Sequence, residues 1–229
     1  MAEKTDAKSA RARRASWKQN PEAVKANILQ IAREVFSKHG LSGARVDEIA
    51  ARTETSKRMI YYYFGDKEGL YRQTLEEAYR AVRSKEEELD LEGLRPVTAL
   101  RRLIEFTFDH HRQNPDFIRL VMIENIHNGF HLERSDAIRE LNRGAISQLE
   151  RVIERGREAS VFKVGTDPLI VHWQISAMSF FNVSNRPTFS KIFGDRLNDE
   201  AGQVALKEQV VQSILGSVLM NPEQAPDAE

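Results

Sequence analysis

The chain has 229 residues, 30% of them charged, with 12 Gly, 7 Pro and no cysteine; this composition points to a helix-rich soluble protein of one large or two small domains and excludes disulfides and thiolate metal sites. The N-terminus is polar and basic without an apolar h-region, and no apolar run approaches the ~20 residues that span a bilayer, so no signal peptide and no membrane partner are expected and a cytoplasmic location is. Lys plus Arg and Asp plus Glu number 34 each, yet residues 1–67 hold 14 cations against 8 anions and the remainder holds 20 against 26. A basic end on an acidic body suits a nucleic-acid-binding head whose body limits non-specific adhesion.

Residues 1–19 carry Lys4, Lys8, Arg11, Arg13, Arg14 and Lys18 with little to bury. They read as a solvated tail, or as a basic flexible arm that settles on phosphates or a minor groove. Asn20-Pro21 is a cap followed by proline at the first helical position. Val24, Ile28, Ile31, Ala32, Val35 and Phe36 then keep a 3.6-residue period up to Gly40. Val46, Ile49 and Ala50 mark a short second helix, Ile60 and Phe64 the buried side of a third, and Gly65-Asp66 the cap of a longer fourth. Pro96, Asn114-Pro115, Ser135 and Asp167-Pro168 open four more helices, and Val204 to Leu219 forms the last. Nothing alternates with the period of a strand. The expectation is an all-α chain of about nine helices: a head of short helices over 20–67, a longer helical body over 68–221, and a flexible tail over 222–229.

Two helices stand apart. Leu169 to Val183 is apolar almost all round, and a helix of that kind must be covered on every side. The final helix shows a broad stripe of Val210, Val211, Ile214, Leu215, Val218 and Leu219. A homodimer built from these two helices and their symmetry mates is expected, in keeping with a reader of two half-sites.

The segment Thr55 to Glu68 gathers Ser56, Lys57, Arg58 and the run Tyr61-Tyr62-Tyr63 on one short helix. Hydroxyl and cationic donors suit phosphates, and long polar side chains at a helix N-terminus suit base edges. Three blocks of Glu22–Leu70 together resemble the TetR family of transcriptional regulators: Ile28-Leu29-x-x-Ala32-x-x-x-Phe36-x-x-x-Gly40, Val46-Asp47-Glu48-Ile49-Ala50, and Ser56-Lys57 followed by Ile60-Tyr61-Tyr62-Tyr63-Phe64-x-Asp66-Lys67-Glu68-x-Leu70. The resemblance implies a helix-turn-helix DNA-binding domain over 20–67 and a helical ligand-binding and dimerisation domain over 68–221, in a regulator, most often a repressor, released from a palindromic double-stranded operator by a small-molecule effector. Arg45 and Val46 would stand at the start of the second helix beside a phosphate. Thr55 and Ser56 would cap the reading helix, Lys57 and Arg58 would reach base edges, and Tyr61 and Tyr62 would contact a thymine methyl or phosphates. Lys67 would add charge at the N-terminus of the fourth helix. Tyr63 and Phe64 would face inward. Two departures follow from the comparison: Glu54 stands where the family has glycine and must accept a left-handed conformation or a re-shaped turn, and Arg45 replaces a capping threonine.

The same resemblance implies an effector pocket between residues 96 and 184, with Phe106, His110, Ile123, His127, Trp173, Met178 and Phe181 as candidate lining. The alternative is a helical metal-binding protein or enzyme using Glu124, His127 and His110, since Glu-x-x-His is the ligand device of di-metal bundles. Those bundles need a second such pair, and no other glutamate stands three residues before a histidine. No Ser/His/Asp set, glycine-rich phosphate loop or paired carboxylate site stands out, so neither catalysis nor a cofactor is expected.

Overall fold

The computed structural model describes residues 20–221; the basic arm over 1–19 and the tail over 222–229 lie outside them. Helix α1 (Pro21–Gly43) starts where expected, with the Asn20 side chain accepting from the Ala23 N–H at 3.3 Å. Gly40 interrupts it with φ 66° and ψ 177°, a conformation that glycine adopts without a Cβ penalty. Helices α2 (Val46–Arg52), α3 (Lys57–Phe64) and α4 (Lys67–Glu87) follow. Val24, Ile28, Ala32, Val35 and Phe36 of α1 are buried, as are Val46, Ile49, Ile60, Phe64, Leu70 and Tyr71. Phe36 and Tyr71 meet edge to face with centroids 5.0 Å apart, a favoured aromatic geometry.

The described residues divide after Glu77 into two compact units, and the division falls inside α4. The second unit adds α5 (Pro96–Gln113), α6 (Pro115–Ile126), α7 (Asp136–Glu158), α8 (Pro168–Ser184), α9 (Arg186–Phe193) and α10 (Glu200–Val218). Its core runs along α5, which packs on α7, α8 and α10 through Leu100, Leu103, Ile104 and Phe108. Arg101 ties α5 to α10 by a bond to Glu208 at 3.0 Å; this bond, more than any other influence, holds the Glu208 carboxyl below its ordinary pKa. One antiparallel bridge between Phe162 and Leu219 joins the end of α10 to the turn after α7.

The fold class stands, with four differences in detail. The described residues form ten helices rather than about nine, because Arg186–Phe193 is a helix of its own. Helix α10 begins four residues before Val204, where the Asp199 side chain caps Gly202 N–H at 2.7 Å; its polar first turn carries no apolar period. Asn114 does not cap α6: its Nδ2 donates to the His110 carbonyl at 2.9 Å and closes the end of α5 instead. The stripe from Val210 to Leu219 is buried in the chain's own core, so it does not supply a free face for a partner. Among the described residues no helix is long and apolar enough to cross a membrane.

Candidate functional site

Helix α3 presents its N-terminal end as a donor surface. Ser56 Oγ accepts from Met59 N–H at 3.2 Å and caps the helix alone. Thr55, expected to share that task, instead donates its hydroxyl to the Thr53 carbonyl at 3.2 Å. Lys57 and Arg58 are exposed on the first turn. Lys57 Nζ stands 3.1 Å from Asp47 on α2, which orients the lysine along the helix end. Among the described residues Arg58 has no ion pair, so its whole guanidinium is open to an incoming acceptor. The N-terminal N–H groups of α3 and its dipole favour an anion at the same place.

The three tyrosines divide as their helical positions dictate. Tyr62 is 77% exposed and Tyr61 37%. Tyr63 is half-buried, with Lys25 Nζ 5.6 Å from its ring centroid. Ile60 and Phe64 face the core. Arg45 is exposed at the start of α2 and makes no side-chain cap. Val46 is buried, so only its backbone N–H can meet a phosphate. Lys67 donates to the Ser42 carbonyl at 3.3 Å, joining the first turn of α4 to the end of α1. Glu54 has φ 51°, the left-handed conformation its position demands. Nearby, Thr53 is buried and donates to the Ile49 carbonyl at 2.8 Å, which closes α2 and sets the turn into α3.

The second unit holds a cavity of about 420 Å³, walled by α4, α5, α6, α7 and α8. Tyr79, Val82, Arg83 and Glu86 line it from α4, Thr107 and His111 from α5, and Phe117, Ile118, Val121 and Asn125 from α6. Asn142 of α7 and His172, Trp173, Ser176, Ala177 and Phe180 of α8 complete it. Burial, with help from His110 and Arg83, pushes His111 down to about 4. Burial, followed by the charge of Arg83, does the same to His172. Both imidazoles are therefore neutral at pH 7. Tyr79 is raised by burial and remains a neutral phenol.

Of the seven residues selected from sequence for an effector, only Trp173 lines this cavity. His110 is buried beside it, its ring 5.6 Å from that of Phe106. Ile123 is half-buried, and His127, Met178 and Phe181 are exposed. Aromatic and histidine content marks candidates in the sequence, whereas the lining is decided by which side of each helix turns inward. Arg83 and Glu86, spaced three apart on α4, were the sequence signal for a polar patch on an otherwise packed face. The Glu-x-x-His pair does not form either. Glu124 is fully buried, and its carboxyl accepts from the N–H groups of His131 and Leu132 at 3.1 and 3.3 Å and sits 2.9 Å from His131 Nδ1. The left-handed residues Asn128 and Gly129 fold the following loop back onto it. Among the described residues no group of three or more metal-ligating side chains converges.

The chain matches two family models: "Bacterial regulatory proteins, tetR family" over residues 28–74 and "Tetracyclin repressor-like, C-terminal domain" over residues 96–214. It is 35% identical over 184 residues to the HTH-type transcriptional repressor NicS of Pseudomonas putida, an alignment covering 80% of this chain and 86% of that protein. It is also 35% identical over 112 residues to the HTH-type transcriptional repressor SCO4008 of Streptomyces coelicolor, covering 48% and 54%. Among solved structures, the transcriptional regulator FadR of Bacillus subtilis, in complex with stearoyl-CoA, superposes with a TM-score of 0.65 at 20% identity, over 83% of this chain and 97% of that one. That last likeness concerns the fold alone.

Proposed function

The chain belongs to the TetR family of bacterial regulatory proteins, and we propose on that premise that it is a repressor which holds a palindromic operator as a homodimer and leaves it when a small molecule binds the second unit. The observation that carries the DNA-reading role is the capped N-terminus of α3, with Lys57 and Arg58 exposed on its first turn and the Tyr61 and Tyr62 hydroxyls beyond them. Arg58 suits a bidentate contact to guanine. Ser56, Tyr62, Arg45 and Lys67 suit phosphates, which set register rather than sequence. The reading head is taken to end at Lys67.

Leu169, Ile170, Trp173 and Phe181 of α8, with Ile192 and Phe193 of α9, are the exposed apolar side chains that support a homodimer. The apolar stripe of α10 is buried in the chain's own core, so the partner face is assigned to α8 and α9 rather than to α10. The cavity lies within the usual ~300–1,000 Å³ of small-molecule sites. Helix α4 begins directly after the reading helix, and its later turns supply Arg83 and Glu86 to the cavity wall. A ligand that shifts α4 would change the spacing of the two reading heads. Half-sites one turn apart require ~35 Å between heads, so a displacement of a few ångströms suffices to favour the released state.

A mobility-shift series with salt titration tests the docking. Arg58→Ala relaxes specificity at one or two base pairs. Lys67→Ala weakens all sequences alike and lowers the salt slope by about 1. If neither change has its effect, the docking is rejected.

A further inference from the structure

One wall of the cavity leaves its hydrogen bonding unfinished. Arg83 donates Nη1 to Glu86, the two side chains being 13% and 6% exposed, and Nη2 to Asn142 Oδ1 at 2.7 Å. Its Nε, on the same edge of the guanidinium as Nη2, is buried without a hydrogen-bond partner. That edge is the fork which receives both oxygens of a carboxylate. Glu86 holds the opposite Nη, so the Nε–Nη2 edge carries no anion, and Arg83 is one of the residues that line the cavity. Asn142 is oriented by its own donation to the Ile138 carbonyl at 2.8 Å, so it offers the fork a neutral amide oxygen and no charge.

The field in the cavity agrees with this geometry. Tyr79, His111 and His172 all feel the positive charge of Arg83. Phe117, Trp173 and Phe180 give the rest of the wall an apolar character. A carboxylate makes charge-assisted hydrogen bonds at the unpartnered Nε that a neutral molecule does not match.

We propose that the cavity takes a small organic monocarboxylate, its two oxygens on Nε and Nη2 of Arg83 and its apolar body against Phe117, Trp173 and Phe180. Such a ligand is the effector only if the regulatory reading above holds, and the two ideas fail separately.

Calorimetric titration of the full-length protein with benzoate, phenylacetate and hexanoate, each against its primary amide, tests the ligand class. The acids bind, the amides bind about ten-fold or more weakly, and Arg83→Gln erases the difference. Because Arg83→Gln strands a buried Glu86 and can prevent folding, Asn142→Asp is the second variant. It keeps Arg83 and places a resident carboxylate on the fork, lowering affinity for the acids about ten-fold or more. Amides that bind as well as acids, an absence of binding by all three acids, or acid affinity unmoved by Asn142→Asp overturns the proposal. Acids that bind but leave operator DNA bound in a mobility-shift assay support the ligand class and remove the effector role. Release of operator by a neutral compound that competes for the cavity supports the effector role and overturns the ligand class.

Discussion

Gly69 sets the corner at which α3 meets α4, and Gly69→Ala isolates that corner. A Cβ at this position would stand 2.1 Å from the Phe64 carbonyl oxygen and 3.3 Å from Asp66 Oδ1. Close carbon–oxygen contacts lie near ~3.3 Å, so the corner must open by about 1 Å. The Phe64 oxygen is a backbone atom at the end of the reading helix and cannot rotate aside. Either the last turn of α3 moves, or the first turn of α4 moves and stretches the bond from Gly69 N–H to Asp66, now 2.6 Å. Overpacking of this kind costs about 1–3 kcal/mol, and loss of the cap about 1 kcal/mol more. Position 69 lies inside α4, so alanine returns up to about 1 kcal/mol of helix propensity. The balance is a loss of about 1–3 kcal/mol, or roughly 2–4 °C in melting midpoint for each kcal/mol in a chain of this size. Thermal and denaturant melts measure the first effect, and operator titration well below the melting range measures the second. Operator affinity falls about ten-fold or more although Lys57 and Arg58 are untouched, because misplacing a donor by ~1 Å forfeits its hydrogen bond. A variant as stable as the parent, or one that melts earlier yet binds operator normally, refutes the reasoning.

Three other outcomes are expected. Glu124→Ala strands the N–H groups of His131 and Leu132 and destabilises the protein by about 2–4 kcal/mol in denaturant melts; a loss of bound metal without a loss of stability would instead revive the metal reading. His111 and His172 titrate near 6.5 when unfolded and at about 4 when folded, so the unfolded chain binds more protons between those values. Stability is therefore full above pH 6.5 and falls as pH drops towards 4; His111→Asn/His172→Asn flattens the change in melting midpoint between pH 7.5 and 5.5, and an unaltered slope contradicts the assignment. Ile170→Asp, at a side chain 57% exposed on α8, converts the dimer to monomer in sedimentation analysis while leaving the melting midpoint of the monomer within a few degrees; an undisturbed dimer places the interface elsewhere.

Helix starts were legible where a side-chain oxygen and a following proline or apolar period coincide. Asn20, Ser135 and Asp167 all accept the first-turn N–H groups expected of them. Asn114 had the same signature, but the immediate restart of the chain at Pro115 gave its amide a nearer acceptor at the end of α5. The division of the tyrosine run was legible too, because Ile60 and Phe64 define the inward side of an eight-residue helix. The cavity was not. His110 and His111 are adjacent and both buried, and only the rotation of α5 decides which of them meets the cavity.

Taken alone, then, the sequence determined the all-helical class, the basic helix with Lys57 and Arg58 on its first turn, and the family, and it narrowed Glu54 to a left-handed residue or a re-shaped turn. Each of these rests on neighbours within one or two turns of the chain, where spacing dictates geometry. Tertiary structure alone decided that the stripe of α10 is core, that α8 keeps Trp173 and Phe181 exposed, and that the Glu124 carboxyl holds the loop at His131 and Leu132. It alone also brought Arg83, His111, Asn142 and His172 around one cavity. Those outcomes depend on how whole helices rotate and pack, and an apolar or polar residue carries no local mark of the face it will meet.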